Sequence, residues 1–351
     1  MTGAAPAHTS READLSRDAG ATMPPATPAG GPLLRVDGLS KQFALDDAVL
    51  PWAKGRRVQA VDNVSFEIAP GQTLGLVGES GCGKSTLGRL VLRLIEPDAG
   101  SVALDGMAVT GAGKRQLKAL RRRMQIVFQN PFGSLNARMS VGEAIAEPLL
   151  AFGVGSRTER SEAARRLLAL VGLDPGHAGR YPHEFSGGQR QRIAIARAIA
   201  LEPDLVVCDE AVSALDVSVQ AQILNLLKDL KARLGMAYLF ISHDLAVVRH
   251  VSDRVAVMYL GSIVEIAEAD RLFADPKHPY TVALLASVPA ETPAARKHAA
   301  PLEGQVPSPI DLPPGCRFAG RCPRAMPRCH EERPALRAIA PDHKVACHLY
   351  A

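Results

Sequence analysis

The chain lacks any run of about eighteen consecutive apolar residues, which is the length that a membrane-spanning helix requires. Its N-terminus also lacks the apolar core of a signal peptide, because Arg11, Glu12 and Asp14 stand in that region. Residues 1–31 are rich in Ala, Pro, Gly and Thr without periodicity, so we expect a disordered tail in which Met23 is an alternative start. These absences predict a cytoplasmic chain that does not itself cross a membrane.

Aromatic residues are scarce, at 4% of the 351 residues, and there is one tryptophan, Trp52. The basic run Arg121–Arg123 therefore has no interleaved aromatic side chains on which bases could stack. Because the net charge is only +5, we interpret this run as a solvated face and expect no nucleic-acid partner. Apolar residues make up 47% of the chain, enough for one large domain and a smaller appendage.

Short Val, Ile and Leu runs alternate with helical patterns between Thr73 and Leu260. This alternation is typical of a parallel sheet that helices cover on both faces. Two earlier strand patterns, at 33–36 and 64–68, are separated by a polar stretch at 45–59, which we interpret as an insertion adapted to a neighbouring subunit. The predicted fold class is therefore α/β, with a nucleotide-binding core.

Residues 78–86 read Gly-Glu-Ser-Gly-Cys-Gly-Lys-Ser-Thr, a complete phosphate-binding loop between a predicted strand and a predicted helix. Glycines allow backbone N–H groups to close around phosphates, and the helix N-terminus attracts the same negative charge. We expect Lys84 to reach the β- and γ-phosphates, Ser85 to ligate Mg²⁺, and Thr86 to contact the α-phosphate. The candidate nucleotide-binding residues of this loop are Gly78, Glu79, Ser80, Gly81, Cys82, Gly83, Lys84, Ser85 and Thr86.

A second motif, residues 205–210, is an apolar strand that ends in Asp209 and Glu210. Ligands of open α/β sheets bind at the carboxyl ends of the strands. We predict that Asp209 holds the Mg²⁺ shell and that Glu210 polarises the attacking water as a general base. The alternative is that both acids simply end a strand in solvent.

Three single residues complete the predicted site. Gln129 follows a predicted strand at 125–128 and is of the right type to sense Mg²⁺ and water. His243 follows another, at 238–241, and is expected to contact the γ-phosphate. Phe43 is the preferred aromatic side chain for stacking on adenine, with Trp52 as its rival.

Residues 185–189 read Phe-Ser-Gly-Gly-Gln and open an arginine-rich helix upstream of the two acids. Together with the motifs above and the turn at 213–216, this segment resembles the ATP-binding subunits of ABC transporters, although Phe185 stands where leucine is usual. The resemblance implies that two subunits sandwich two ATP molecules, each chain contacting the ATP of its partner. The residues that would make this contact are Ser186, Gly187, Gly188 and Gln189.

Other nucleotide-binding classes fit the sequence less well. A nucleotide kinase or GTPase should lack the segment at 185–189. A soluble ABC protein of DNA repair or translation commonly carries two ATPase units or a nucleic-acid arm, and this sequence has neither.

The resemblance also implies a P-loop NTPase fold of the ABC ATPase type, with a RecA-like core, an antiparallel β subdomain and a helical subdomain at about 130–190. We therefore expect a disordered tail at 1–31, a nucleotide-binding domain at 32–285 and a small cysteine-rich C-terminal domain at 286–351.

Stretches at 130–136, 180–184 and 278–281 resemble the oligopeptide and dipeptide importers. Two further segments, the insertion around Trp52 and residues 219–222, look most like the second, F-type ATPase of these importers. Ala137 departs from the usual proline in the region expected to meet membrane subunits. The implied function is ATP hydrolysis that powers peptide import, by a peripheral protein on the cytoplasmic face of the bacterial inner membrane. A nickel or glutathione importer is the alternative.

The same resemblance implies the partners. They are a second, homologous ATPase in a heterodimer, two permease subunits and a periplasmic substrate-binding protein.

A proline-rich C-terminal segment carries a set of cysteines that could bind a metal, namely Cys316, Cys322, Cys329 and Cys347. Their spacing fits zinc or an iron–sulfur cluster, although the tight Cys-x2-Cys pairs of zinc ribbons are absent. The resemblance favours a [4Fe-4S] cluster through the pattern Cys-Arg-Phe-x-x-Arg-Cys, and unliganded thiols are a further alternative. Cys82 and Cys208 are interpreted as small packing residues.

Overall fold

Strands and helices alternate along the part of the chain that this computed structural model describes, residues 31–45, 56–287, 307–310 and 312–351. The strands are β1 (Leu34–Ala44), β2 (Arg57–Ile68), β3 (Thr73–Val77), β4 (Ala99–Leu104), β5 (Met107–Ala108), β6 (Met124–Val127), β7 (Leu205–Asp209), β8 (Ala237–Ile241), β9 (Arg254–Tyr259), β10 (Ser262–Glu268), β11 (Arg337–Ala340) and β12 (His343–Val345). The helices are α1 (Lys84–Val91), α2 (Lys114–Arg123), α3 (Pro131–Ser134), α4 (Val141–Ala151), α5 (Arg157–Leu170), α6 (Gly187–Ile199), α7 (Val217–Leu234), α8 (Leu245–Val251), α9 (Ala269–Ala274), α10 (Pro279–Ala286) and α11 (Pro327–Glu331).

The central sheet has the strand order β11-β12-β10-β9-β3-β8-β7-β6 within the described residues. The strands from β9 to β6 are parallel, and β10, β12 and β11 continue the sheet antiparallel at one edge. Every residue of β3, β7 and β8 is buried. This is the pattern of parallel strands covered on both faces, and the predicted α/β class is confirmed.

Successive side chains of β7 point to opposite faces of the sheet, and each face has its own core. Val206 and Cys208 join a core with residues of α4 to α8. Leu205 and Val207 join the other core, with residues of α1, β1 and β2. The prediction that Cys208 packs agrees with its full burial, and burial raises the pKa of its thiol to about 12.

The second sheet is antiparallel, in the order β2-β1-β4-β5. Its first two strands are longer than the predicted patterns at 33–36 and 64–68, because exposed polar residues continue the pairing as far as Ala44 opposite Arg57. Residues 57–59 of the predicted polar insertion are therefore strand. Trp52 lies outside the described residues.

Between β6 and β7 the chain is mostly helical. Helices α4 and α5 begin at reciprocal caps, in which Ser140 pairs with Glu143 and Ser156 with Glu159, so backbone N–H groups of the first turn are satisfied. Both helices pack with α6 in one core. None of the helices in the described ranges combines the length and apolar character needed to cross a membrane.

The C-terminal residues are bound to the rest of the chain through the central sheet. β12 pairs with β10, and the Ala346 N–H donates to the carbonyl of Val264 at 2.8 Å. Arg271 also donates to the carbonyl of Pro341. The expected domain boundary at 285/286 remains a prediction.

A buried carboxylate at Glu265 links β10 to the segment before α10. It accepts from the backbone N–H groups of Lys277 and His278 and contacts His343 Nε2, each at 2.8 Å. Glu265→Gln should lower the free energy of unfolding by about 1–3 kcal/mol, because the new NH₂ group faces donors and leaves one of them unpaired. Urea denaturation measures the change.

Glu268→Gln is the matched control, because Glu268 ends the same strand with an exposed side chain. Equal unfolding free energies for the two variants would contradict the role of Glu265.

Candidate functional site

The loop between β3 and α1 has the backbone shape of a phosphate cradle. Gly78, Gly81 and Gly83 all have positive φ, at 154°, 77° and 104°. A Cβ added at Gly83 would lie only 2.0 Å from the carbonyl oxygen of Ala60. The loop therefore closes against β2, and Gly83 occupies a position that no other residue type fits.

Lys84 lies beneath this loop and is only 4% exposed. Its Nζ donates to the carbonyls of Gly78 at 2.8 Å and Glu79 at 3.0 Å. Cys82 is buried beside it, and burial raises the pKa of the Cys82 thiol. The ammonium group is thus held at the base of the loop, where a phosphate would meet it.

A cavity of about 410 Å³ opens over the loop. It is lined by Phe43, Val58, Gln59, Ala60, Ser80, Gly81, Gly83, Lys84, Ser85, Thr86, Gln129, Glu210, Leu260, Gly261 and Pro309. Phe43 is 38% exposed at the end of β1, with the Lys41 ammonium 5.7 Å from its ring centroid. Of the two aromatic candidates for adenine, Phe43 lines the cavity and Trp52 lies outside the described residues.

Asp209 ends β7 next to the first turn of α1. Its Oδ1 accepts a hydrogen bond from Ser85 Oγ at 2.7 Å, and burial raises the pKa of this carboxyl. Hydroxyl and carboxylate oxygens are the donors that Mg²⁺ prefers, so these residues fit the predicted ion.

Glu210 brings the predicted catalytic side chains together. Its Oε2 accepts from Gln129 Nε2 at 2.7 Å, and its Oε1 lies 3.5 Å from His243 Nδ1. Its φ of 49° is left-handed, an uncommon conformation for a non-glycine residue that is often found at functional sites. A carboxylate, an amide and an imidazole therefore converge beside the phosphate cradle.

The predicted signature segment lies at the N-terminus of α6. Ser186 Oγ accepts from the Gln189 N–H at 3.3 Å, while Gln189 Oε1 accepts from the Ser186 N–H at 3.0 Å. Phe185 is buried, so its departure from leucine concerns packing. Among the described residues that line the cavity, none comes from 186–189.

The chain is similar to known proteins over nearly its whole length. A protein named "Probable peptide ABC transporter ATP-binding protein y4tS" from Sinorhizobium fredii is 54% identical over 321 residues, which cover 91% of this chain and 90% of that protein. "Oligopeptide transport ATP-binding protein AppF" from Bacillus subtilis is 51% identical over 322 residues, with 91% and 98% covered. The chain belongs to the family of ABC transporter ATP-binding proteins. The predicted resemblance is confirmed.

Two family descriptions match separate parts of this ABC transporter ATP-binding protein. Residues 61–213 match "ABC transporter", and residues 264–329 match "Oligopeptide/dipeptide transporter, C-terminal region". The second match includes residues that the structure does not describe.

Solved structures support the fold. "Dimeric structure of a post-hydrolysis state of the ATP-binding cassette MJ0796 bound to ADP and Pi" is 28% identical, with a TM-score of 0.60, and covers 67% of this chain and 98% of that one. CbiO1 from Clostridium perfringens, at 24% identity and TM-score 0.60, covers 70% and 91% and agrees in fold. The predicted P-loop ABC ATPase fold is confirmed.

The predicted [4Fe-4S] cluster is wrong. Within the described ranges, which include all four C-terminal cysteines, no group of three or more His, Cys, Asp or Glu side chains is placed to hold a metal ion. Burial raises the pKa of the Cys316 thiol to about 11 and also raises the pKa values of Cys322 and Cys347. The zinc alternative fails for the same reason.

Ion pairs and strand pairing hold the C-terminal segment where metal ligation was expected. Arg317 pairs with Asp62 and donates to the carbonyl of Leu260, and Arg333 also pairs with Asp62, at 2.5 Å. Pro309 accepts from the Gln59 N–H at 3.0 Å and lines the cavity. Sequence reasoning missed these contacts, because they join residues far apart in the chain and follow no motif spacing.

Proposed function

We propose that the chain is the ATP-hydrolysing subunit of a peptide importer. The observation that carries the proposal is the convergence of Gln129 and His243 on Glu210 beside the phosphate cradle. The peptide class is supported by the names of the relatives and by the match of residues 264–329 to the oligopeptide/dipeptide transporter C-terminal region. No contact of the described residues favours nickel or glutathione as the cargo.

Each residue of the cradle has a distinct role in holding ATP. Phe43 stacks on adenine, and Lys84 contacts the β- and γ-phosphates as a point charge. The loop residues Gly78 to Gly83 supply backbone N–H groups, and Ser85 and Thr86 lie at the start of α1, whose N-terminus favours anions. Mg²⁺, when bound to Ser85, Gln129 and Asp209, would neutralise charge on the phosphate oxygens.

Glu210 acts as the general base. The Gln129 amide holds one carboxylate oxygen, so the other is directed toward His243 and the cavity. From there Glu210 accepts a proton from the attacking water, while His243 and Lys84 stabilise charge on the γ-phosphate.

The chain forms half of each ATP site. Ser186 to Gln189 do not line the cavity of their own chain, and their helix N-terminus is therefore available to the ATP of a partner. The related MJ0796 cassette is dimeric in its solved structure. We infer a heterodimer with a second ATPase, and expect the chain alone to hydrolyse ATP slowly.

The remaining parts of the proposal concern assembly. The dimer binds two permease subunits at the cytoplasmic face of the inner membrane, as a peripheral protein, and a periplasmic protein delivers the peptide. Residues from Gln129 to about Pro148, including the exposed Ala137, link the ATP site to the permeases. A tail at 1–31, an ATPase domain at 32–285 and a C-terminal domain at 286–351 complete the proposed division.

Deletion of the chain from its source bacterium tests this function. We expect uptake of radiolabelled di- and tripeptides to fall at least about tenfold, with nickel and glutathione uptake unchanged, because import through the permeases requires ATP-driven closure of the ATPase dimer. The tagged chain should co-purify with two polytopic membrane proteins from detergent-solubilised membranes. A loss confined to nickel or glutathione uptake would contradict the peptide class, and recovery of the chain without membrane proteins would contradict the importer.

A further inference from the structure

The sequence pattern at 316–322 contains Arg321, which reaches the phosphate loop. Its Nη1 lies 3.0 Å from Glu79 Oε2 and its Nη2 lies 3.1 Å from Glu79 Oε1, a bidentate pair between residues 242 positions apart. We infer that Arg321 is a positioning residue for ATP binding, which fixes and neutralises Glu79 within the phosphate loop. The inference rests on the proposed function, because it concerns the same ATP site.

Every polar group of Glu79 has a hydrogen-bond partner. While Arg321 binds the carboxylate, the Glu79 N–H donates to Tyr280 Oη at 3.0 Å and its carbonyl accepts from Lys84 Nζ at 3.0 Å. The position of this residue in the loop is therefore set by α10 and the C-terminal segment as well as by β3 and α1. A shift of Glu79 would also move the carbonyl that holds Lys84.

The pair is largely removed from water. The Arg321 side chain is 7% exposed and that of Glu79 is 24% exposed. Tyr259 accepts from Arg321 at 3.3 Å, and its ring lies in an aromatic cluster with Tyr280 and Phe318, at centroid distances of 4.6 and 5.4 Å. Water cannot readily replace a guanidinium at such a site, so loss of Arg321 would leave the Glu79 carboxylate poorly compensated.

The negative charge of Glu79 explains why its pairing with Arg321 affects ATP binding. The phosphate loop binds a ligand with several negative charges, and Glu79 places a further negative charge in that loop. Arg321 cancels it with two hydrogen bonds in a geometry that matches a carboxylate. The C-terminal segment thus contributes to the ATP site without contacting ATP.

The charge of Arg321 can be removed alone, or together with that of Glu79, in the purified full-length chain that also carries Glu210→Gln. Binding of a fluorescent ATP analogue gives the Kd. We expect Arg321→Ala to weaken binding about tenfold through repulsion by Glu79, and Arg321→Lys to weaken it about threefold, since lysine restores the charge without the bidentate geometry. Glu79→Gln/Arg321→Ala should return the Kd to within about threefold of the parent, because the unpaired carboxylate is gone.

The hydrolysis kinetics of the same Arg321 and Glu79 substitutions, in the otherwise wild-type chain assembled with its partner ATPase, give a second readout. KM for ATP should rise in Arg321→Ala while kcat stays within about twofold, since Arg321 favours bound ATP equally in the ground state and in the transition state. Arg324→Ala is the control, because Arg324 is exposed in the same segment. It should leave both constants unchanged.

Several outcomes would overturn the inference. One is an unchanged Kd in Arg321→Ala, and another is a double variant no tighter than Arg321→Ala, which would indicate general damage. If Arg321→Ala fails to fold, the test moves to Arg321→Lys, and a Kd for that variant equal to the parent's would overturn the inference. Failure of the wild-type chain to bind ATP at all would instead overturn the proposed function.

Discussion

Glu210→Gln is expected to lower ATP turnover by about 10²-fold or more and to leave the Kd for ATP within about threefold of wild type. The amide has nearly the shape of the carboxylate, and its oxygen can still accept from Gln129, which now bonds at 2.7 Å. It cannot accept a proton from water, so the loss falls on the chemical step. Phosphate release by the assembled ATPase dimer measures turnover, and a fluorescent ATP analogue measures binding.

Glu162→Gln provides the matched control, because Glu162 is exposed on α5 and the same carboxylate-to-amide change there should leave both quantities unchanged. Unchanged steady-state hydrolysis in Glu210→Gln would remove Glu210 from its role as general base. A large loss of ATP binding in that variant would assign Glu210 to binding instead.

The convergence on Glu210 could be predicted from the sequence for a physical reason. Gln129 and His243 each follow a parallel strand, β6 and β8, and these strands flank β7, which carries the two acids. Carboxyl ends of parallel strands meet at one edge of the sheet, so residues that are far apart in sequence become neighbours. The left-handed backbone of Glu210 could not be predicted, because no local residue pattern requires it.

The C-terminal segment shows where sequence reasoning stops. Cysteine spacing fitted zinc or an iron–sulfur cluster, and the family resemblance favoured the cluster. The segment is instead held by contacts over long sequence separations, such as Arg317 with Asp62, 255 positions apart. Such pairs follow no local period, so neither hydrophobic pattern nor motif spacing indicates them. The pairing of β11 and β12 with the central sheet was missed for the same reason.

Gly83→Ala is expected to weaken ATP binding by more than about 10²-fold. Alanine at this position has two costs: a φ of 104°, which is strained for any side chain, and a Cβ placed 2.0 Å from the Ala60 carbonyl. A backbone carbonyl of a paired strand cannot move aside as a flexible side chain can. The start of α1 must therefore shift, and Lys84 and Ser85 shift with it, because they follow Gly83 directly.

Substitutions at two other glycines distinguish the cost of backbone strain from the cost of the steric clash. Gly81→Ala brings the strain of a φ of 77° without any neighbour within 4 Å. The free loop can relax away from this φ, so ATP binding must restore it at a cost of roughly 1–2 kcal/mol, and binding should weaken about tenfold. Gly113→Ala brings neither cost, because Gly113 precedes α2 at a φ of −67° with nothing within 4 Å, and should leave binding unchanged.

The graded order of the three Kd values, measured by ATP-analogue titration with circular dichroism as a check on folding, distinguishes the steric cost from strain alone. Equal losses in Gly81→Ala and Gly83→Ala would mean that β2 yields to the added methyl group. Binding by Gly83→Ala within threefold of wild type would contradict the close packing of the phosphate loop against Ala60. Because Ala60 also lines the cavity, such a result would require a different position for β2 when ATP is bound.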